Sequence, residues 1–271
     1  MTLLFIGDIV GKPGRDLARK GLRALKARYE ADLVIVNAEN AAGGFGVTRE
    51  VVDALLEYGA DVLTSGNHIW DKKEALEFID AVPRLLRPLN FPAGAPGRGV
   101  FVAQTAAGHE VAVVNAMGRI FMAPLDNPFE VVRREVELLR RRTPIVFVDF
   151  HAEATSEKVA MGWHLDGLAT AVVGTHTHVQ TADDQILPGG TAYITDVGMT
   201  GPHDSVIGVE KQAVLERFIT GMPTRFDTAT GRPTLHGVLV DVDASSGRAV
   251  RLERLSLTLP ALEALAAEMH A

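Results

Sequence analysis

The chain of 271 residues contains no cysteine. Disulfide bonds, thiolate nucleophiles and cysteine-ligated zinc sites are therefore excluded as explanations of its fold or its chemistry. Any metal ion held by the chain must be bound by oxygen atoms and imidazole nitrogens. Nine histidines and 34 acidic residues supply such atoms.

An excess of positive charge and a long apolar run near the N-terminus are also missing. Lys and Arg number 27 against 34 Asp and Glu, for a formal net charge of -7. No overall attraction therefore draws the protein to bulk nucleic acid or to an anionic membrane. The apolar run at residues 3–6 follows no basic segment and is too short for a signal peptide or a membrane span. These absences predict a cytoplasmic protein without membrane or bulk nucleic-acid partners, and they leave homo-oligomerisation open.

Short apolar runs alternate along the chain with segments of helical periodicity. With 47% hydrophobic and 23% charged residues, the chain can bury a sizeable core. Runs of this length that end in polar or glycine residues predict buried strands. The predicted strands are residues 2–6, 33–36, 61–65, 101–103, 110–115, 145–148, 169–173, 193–195, 234–243 and 250–257.

Capping residues and apolar stripes predict helices between these strands. Thr48 and Asn127 are suitable N-caps, and Gly59 and Gly221 stand where two helices should end. The predicted helices are one that Pro13 opens, residues 48–59, 128–142, 156–164 and 209–220, and a short one at the C-terminus. This order predicts one α/β domain over residues 1–271, with inserts between residues 70 and 130 that form a small cap.

Polar residues follow several of the predicted strands. They are Asp8, Glu39, Asn40, Asn67, His68, His151, His176 and His178. Ligands of open α/β sheets bind at the carboxyl ends of the strands, so we expect these side chains to converge. A two-metal hydrolase needs an anionic oxygen that bridges ions about 3.5–4 Å apart, and Glu39 is the natural bridge. For the two histidines of the 174–178 segment taken alone, the alternative is a polar loop with exposed rings.

The motifs that contain these residues resemble the calcineurin-like metallophosphoesterase superfamily. Its pattern runs Gly-Asp, Gly-Asp, Gly-Asn-His, a lone His and then Gly-His-x-His. Here Gly7-Asp8, Gly66-Asn67-His68, His151 and the 174–178 segment follow that order. Two departures stand out: Val10 replaces a usual histidine, and residues 37–40 (NAEN) replace the second Gly-Asp.

These departures resemble one branch, the bacterial 2′,3′-cyclic-nucleotide phosphodiesterases of the YmdB type. The resemblance covers nearly the whole chain through GDIVGKPGR, NAENAAGGFGVT, TSGNHIWDKKE, DFHAEATSEK, GTHTHVQTAD and ITDVGMTGP. It implies an αββα sandwich that holds two metal ions. The implied first site is Asp8, Glu39, Asn40 and His178, and the implied second site is Glu39, Asn67, His151 and His176. Nitrogen and hard oxygen ligands suit iron or manganese and leave zinc as an alternative.

In this reading His68 binds no metal and acts as the general acid. A metal-bridging hydroxide attacks phosphorus while His68 protonates the departing ribose oxygen. The resemblance also implies the substrate, a 2′,3′-cyclic nucleotide whose 2′ ester is cleaved to give a 3′-nucleotide. The alternative for His68 is a packing role. The alternatives for the protein are a phosphomonoesterase or nucleotidase of the same superfamily and a metal-bound regulatory protein with vestigial catalysis.

Two further residues are weaker candidates for substrate binding. Phe45 lies between glycines in a loop and could cover a base, although such glycines usually form turns. Arg119 could contact phosphate, although exposed basic residues usually have no specific partner. The histidines outside any ligand pattern are interpreted as surface or core residues: His109, His164, His203, His236 and His270.

Overall fold

Twelve strands and seven α-helices form the part of the chain that the computed structural model describes, residues 1–268; His270 lies outside it. The strands are β1 (Thr2–Ile6), β2 (Leu33–Asn37), β3 (Val62–Thr64), β4 (Val100–Gln104), β5 (Glu110–Met117), β6 (Ile145–His151), β7 (Ala171–Thr175), β8 (Gln185–Ile186), β9 (Ala192–Ile194), β10 (Gly201–Pro202), β11 (Pro233–Val242) and β12 (Ala249–Thr258). The helices are α1 (Gly11–Arg28), α2 (Arg49–Glu57), α3 (Ala75–Phe78), α4 (Pro128–Leu139), α5 (Thr155–His164), α6 (Lys211–Thr220) and α7 (Leu259–Glu268).

The strands form two six-stranded sheets. The first has the order β10-β11-β1-β2-β3, with β12 paired to β11. In it β1, β2 and β3 run parallel, and β11 runs antiparallel to β1. The second has the order β4-β5-β6-β7-β9-β8, in which β5, β6, β7 and β9 are parallel. Each sheet therefore has a parallel set whose carboxyl ends lie at one edge, where ligands bind in such folds.

The two sheets pack face to face, and helices cover their outer faces. Side chains alternate along β1, so Leu3 and Phe5 enter the core between the sheets while Leu4 and Ile6 pack under helices. Phe5 stacks on Phe147 of the second sheet with ring centroids 5.4 Å apart. Residues of α1, α2 and α7 complete the outer core of the first sheet, and those of α4 and α5 that of the second. The predicted α/β fold, an αββα sandwich, is confirmed.

The predicted caps are confirmed. The Thr48 hydroxyl accepts a hydrogen bond from the amide of Val51 (3.3 Å), and the Asn127 side chain accepts one from the amide of Phe129 (3.2 Å). Gly221 ends α6 with a φ of 69°, in the left-handed region that glycine adopts easily. Local chemistry therefore fixes these helix ends.

Several helix bounds were predicted wrongly. α1 begins at Gly11 and not at Pro13, and α2 ends at Glu57, before Gly59. α4 ends at Leu139 and not at Arg142, because the amide of Arg142 bonds to the Leu139 carbonyl three residues back (2.8 Å), in a tighter turn. α6 begins at Lys211 and not at Val209, because the amide of Val209 donates to the carbonyl of Val206 (3.0 Å) outside the helix. Within residues 1–268, none of the helices is both long and apolar enough to cross a bilayer.

β6 is longer than the predicted strand at residues 145–148. It continues to His151, which pairs with Met117 of β5 on one side and with Thr175 of β7 on the other. Because β6 is flanked by two parallel neighbours, its backbone remains paired beyond the apolar run. His151 therefore sits on a paired strand and not on a loop.

The predicted cap between residues 70 and 130 stays a prediction. In this stretch the structure has α3, a 3-10 turn (Ile79–Ala81), the antiparallel pair β4 and β5, and irregular chain at residues 118–127.

Candidate active site

The polar side chains predicted at strand ends lie together, although they come from two sheets. Asn67, which follows β3, has its Oδ1 3.0 Å from Nε2 of His151 in β6. The carboxylate of Glu39, which follows β2, lies 3.0 Å from the same nitrogen. The backbone amide of His176, which follows β7, donates to the Asp8 carboxylate (3.3 Å). The site therefore lies where the strand ends of the two sheets meet.

The charged and imidazole groups fall into two overlapping sets. The first set is Asp8, Glu39 and His178. The second set is Glu39, His151 and His176. Within each set the candidate ligand atoms lie within 4.8 Å of one another. Glu39 belongs to both sets, as a bridging carboxylate must.

One amide adjoins each set. Asn40 Nδ2 lies 3.2 Å from His178 Nε2, next to the first set, and Asn67 contacts His151 in the second. The structure thus brings together the seven residues predicted as metal ligands. Their role as ligands stays a prediction.

Two buried oxygens lack a hydrogen-bond partner among the described residues. They are Oδ1 of Asp8 and Oδ1 of Asn40. A buried oxygen without a partner is costly, and a bound cation would satisfy both. Carboxylate, amide and imidazole groups are also ligands that first-row transition metals accept. The residues therefore fit a centre of two cations.

Burial and crowded charge shift the proton affinities of these groups. Burial raises the pKa of Asp8 well above its usual range. Burial also lowers the pKa of His178 and, together with His151, lowers that of His176 to about 3, so both rings are neutral at pH 7 with a free lone pair. Burial opposes charge on Glu39 and His151, but their contact prevails and lowers the pKa of Glu39 while raising that of His151. A cation bound here would displace the His151 proton.

The rings of His151 and His176 are oriented by contacts on their far sides. Nδ1 of His151 lies 2.9 Å from the Thr175 hydroxyl, which itself donates to Asp149 (2.8 Å), so the ring nitrogen is the donor. Nε2 of His176 lies 3.0 Å from Glu153. The nitrogens left for ligation are Nε2 of His151 and Nδ1 of His176, 3.0 Å apart. Sequence reasoning missed Glu153, although it lies in the DFHAE motif.

His178 is oriented by a backbone group. Its Nδ1 donates to the carbonyl of Ile207 (2.9 Å), which leaves Nε2 for the site. Ile207 has a φ of 46°, an outlier for a β-branched residue. Sequence reasoning missed this contact because any residue type supplies a carbonyl.

The segment that carries two ligand histidines is held in an unusual backbone conformation. His176 and His178 have φ values of 101° and 67°, each of which costs about 1–3 kcal/mol for a residue other than glycine. Between them, the amide and hydroxyl of Thr177 donate to Asp196 (3.0 and 2.7 Å). Asp196 is in turn paired with Lys158 (2.6 Å), and both are buried. This network holds the strained segment.

His68 lies beside the ligand sets but belongs to neither. Its Nδ1 is 2.8 Å from the carboxylate of Asp71, and its backbone amide contacts Glu39 (3.4 Å). Phe45 packs edge-on against the ring, with centroids 5.0 Å apart. Since Asp71 engages Nδ1, Nε2 is the nitrogen available for proton transfer. Sequence reasoning missed Asp71.

A glycine permits the close approach of the two sheets. A Cβ added at Gly66 would overlap the ring of His151 and the carboxylate of Glu39. Glycine is therefore required at position 66 because no side chain fits there, and not because of a turn conformation.

The site opens into a cleft of about 330 Å³. The lining includes Phe45 and residues 207–209 and 226–228. Arg119 instead lines a separate hollow with Phe129 and Glu157. Among the described residues that line the cleft, none lies between residues 70 and 130, the region of the predicted cap.

We expect Glu39→Gln to lose both metal ions. The glutamine keeps the shape of the side chain but removes the negative charge shared by the two sets, so affinity should fall at both sites. Elemental analysis after metal loading measures the metal content per chain.

Glu157→Gln is the matched control, since Glu157 is buried but bonds to the amides of Arg119 and Ile120 outside the site. It should keep its metal content. Retention of both ions in Glu39→Gln would contradict the bridge, and loss of one would assign Glu39 to a single site.

The chain matches known proteins over nearly its whole length. A family profile described as "YmdB-like protein" matches residues 4–255. The 2′,3′-cyclic-nucleotide 2′-phosphodiesterase of Bacillus subtilis is 53% identical over 255 residues, which cover 94% of this chain and 96% of the relative. The crystal structure of a hypothetical protein from Thermus thermophilus has a TM-score of 0.88 at 43% identity, covering 95% of this chain and 99% of that one. The crystal structure of a novel phosphatase from Mycoplasma pneumoniae has a TM-score of 0.89 at 37% identity, covering 95% and 93%. This chain therefore belongs to the YmdB-like family.

Proposed function

We propose that the protein is a metal-dependent phosphodiesterase that opens 2′,3′-cyclic nucleotides. The observation that carries the proposal is the pair of ligand sets that share Glu39, with the uncoordinated His68 beside them. The name of the Bacillus subtilis relative supports the cyclic substrate and cleavage at the 2′ position.

Two cations held by these sets would polarise the phosphoryl oxygens and lower the pKa of attacking water. Asp8, Asn40 and His178 would hold one, Asn67, His151 and His176 the other, and Glu39 both. Iron or manganese suits these ligands, with zinc as the alternative.

His68, which lies outside the ligand sets and is held by Asp71, would protonate the leaving group. Addition of water to phosphorus breaks the bond to O2′ and leaves a 3′-phosphate and a 2′-hydroxyl. We assign the proton for O2′ to Nε2 of His68, because Asp71 engages Nδ1 and so fixes the ring orientation. Without that proton the ribose oxygen would depart as an alkoxide.

A second candidate is hydrolysis of phosphomonoesters. It is supported by the Mycoplasma pneumoniae structure, which is described as a phosphatase. The same ligand sets suit either ester, so the two candidates differ in the substrate and not in the metal centre.

The experiment is an assay of the metal-loaded protein on 2′,3′-cyclic AMP, 3′,5′-cyclic AMP, bis(4-nitrophenyl) phosphate and 5′-AMP, with products identified by chromatography. We expect 2′,3′-cyclic AMP to give 3′-AMP. Formation of 2′-AMP would overturn the regiochemistry. Hydrolysis of 5′-AMP alone would favour the monoesterase, and no hydrolysis with both ions bound would overturn both candidates.

A further inference from the structure

The cleft has two chemically different sides. One side consists of the candidate ligands and the proposed acid. The other, mainly apolar side consists of Val10, Phe45, Ile207, Val209 and Phe226, with Asp227 and Thr228 next to Phe226 in the chain. Metal ions and phosphate do not bind hydrocarbon, so this side is available to another part of a substrate.

We propose that the apolar side is a nucleobase subsite, which binds the base by its faces without reading its hydrogen-bonding edges. The inference rests on the proposed function, because it names how the rest of that substrate is held. It adds a prediction about specificity, namely broad tolerance of the base.

The apolar side adjoins the reacting groups. The Ile207 carbonyl holds His178, so the exposed side chain of Ile207 starts beside a candidate ligand. Phe45 packs against His68, the proposed acid. A base attached to a ribose whose phosphate lies at the metal centre would therefore meet this wall.

The size of the cleft also fits one nucleotide. Its volume of about 330 Å³ is near the lower end of the ~300–1,000 Å³ that small-molecule sites occupy. A polymer would need a continuous groove of positive charge, whereas this chain has a net charge of -7.

Two contacts join the wall to neighbouring segments. The guanidinium of Arg217 lies over the ring of Phe226, 5.1 Å from its centroid. The hydroxyl of Thr228 donates to the carbonyl of Gly43 (3.3 Å), which ties the segment of Phe226 to the loop of Phe45. A preorganised aromatic surface loses little entropy when a base stacks on it.

The polar side chains of this wall already have partners. Asp227 pairs with Arg225 (3.2 Å), and the Thr228 hydroxyl is used on Gly43. Glu153 likewise contacts His176 at the edge of the cleft. Val10 contributes only hydrocarbon. Asp227 and Glu153 keep free acceptor sites, but their side chains are 67% and 47% exposed, so water competes with a base for them and stacking and apolar contact dominate.

The first test compares the metal-loaded enzyme on the four common 2′,3′-cyclic mononucleotides and on methyl ribofuranoside 2,3-cyclic phosphate, which has no base. We expect the four kcat/KM values to lie within about tenfold of one another and the baseless substrate to be weaker by about tenfold or more, as stacking energies suggest. A preference for one base above ~100-fold, or equal rates for the baseless compound, would overturn the subsite.

The second test uses Phe226→Ala with Trp163→Ala as its control, since Trp163 is an exposed aromatic of α5 that does not line the cleft. Phe226→Ala should raise KM about tenfold for cyclic nucleotides and much less for the baseless substrate, with little effect on kcat. Trp163→Ala should behave as wild type. Equal losses on both kinds of substrate would overturn the subsite.

Calorimetry separates this inference from the proposed function, because it needs no turnover. The metal-loaded protein should bind 3′-AMP about tenfold more tightly than ribose 3-phosphate, and Phe226→Ala should remove the difference. Failure of all hydrolysis would overturn the proposed function while this difference still supports a base-binding wall. Equal affinities for the two ligands would overturn the wall.

Discussion

His68→Ala should lower turnover of 2′,3′-cyclic AMP by about 10²–10⁴-fold while both metal ions stay bound. The structure gives the reason: His68 belongs to neither ligand set, and Asp71 engages its Nδ1 so that Nε2 is available. Elemental analysis and steady-state kinetics on the same preparation measure the two quantities. Loss of metal would place His68 among the ligands and overturn its role as acid.

The leaving group makes this test sharper. A nitrophenolate departs without a proton, so the loss in His68→Ala should be much smaller on bis(4-nitrophenyl) phosphate than on the cyclic nucleotide. Equal losses on both substrates would indicate a role in binding or packing. His164→Ala is the matched control, because that ring contacts the Phe129 carbonyl (3.0 Å) away from the cleft and should affect neither substrate.

Lys158→Met should reduce the free energy of unfolding by about 3–5 kcal/mol. The substitution leaves the Asp196 carboxylate buried without its cationic partner, although Thr177 still donates to it. Urea denaturation monitored by circular dichroism measures the loss. A change below about 1 kcal/mol would contradict the assigned importance of the pair.

Lys12→Met is the matched control for this prediction. Lys12 also pairs with an aspartate, Asp16 at 2.9 Å, but the side chain of Lys12 is 78% exposed. Solvent screens such a pair, so the cost should be at most about 1 kcal/mol. The double variant Lys158→Met, Asp196→Asn should recover part of the loss, since it removes the uncompensated charge.

The sequence predicts the ends of β1, β2 and β3 to within one residue because two local signals agree there. Apolar runs mark β1, β2 and β3, and polar residues such as Asp8, Glu39 and Asn67 follow them directly. The rule that ligands gather at carboxyl ends then brings the side chains together without any knowledge of distances. The structure has this convergence.

Contacts between distant segments could not be predicted in the same way. Asp196 is recognisable only after folding brings it to Thr177, and the Ile207 carbonyl carries no signature of residue type. The apolar wall has the same difficulty, since Phe226 lies far along the chain from Phe45. The length of β6 also depended on its neighbours, which keep its backbone paired to His151.

The division of the ligands between two sheets has a consequence for assembly. Asp8, Glu39 and Asn67 follow strands of the first sheet, whereas His151 ends a strand of the second sheet and His176 follows one. Each cation held between them would join the two sheets of the sandwich. Metal binding would therefore raise the free energy of unfolding of the whole domain. At a free metal concentration ~100 times the dissociation constant, one such cross-link adds about 2.7 kcal/mol. In a metal-starved cell the protein would then be less stable as well as inactive, and proteases would degrade it faster.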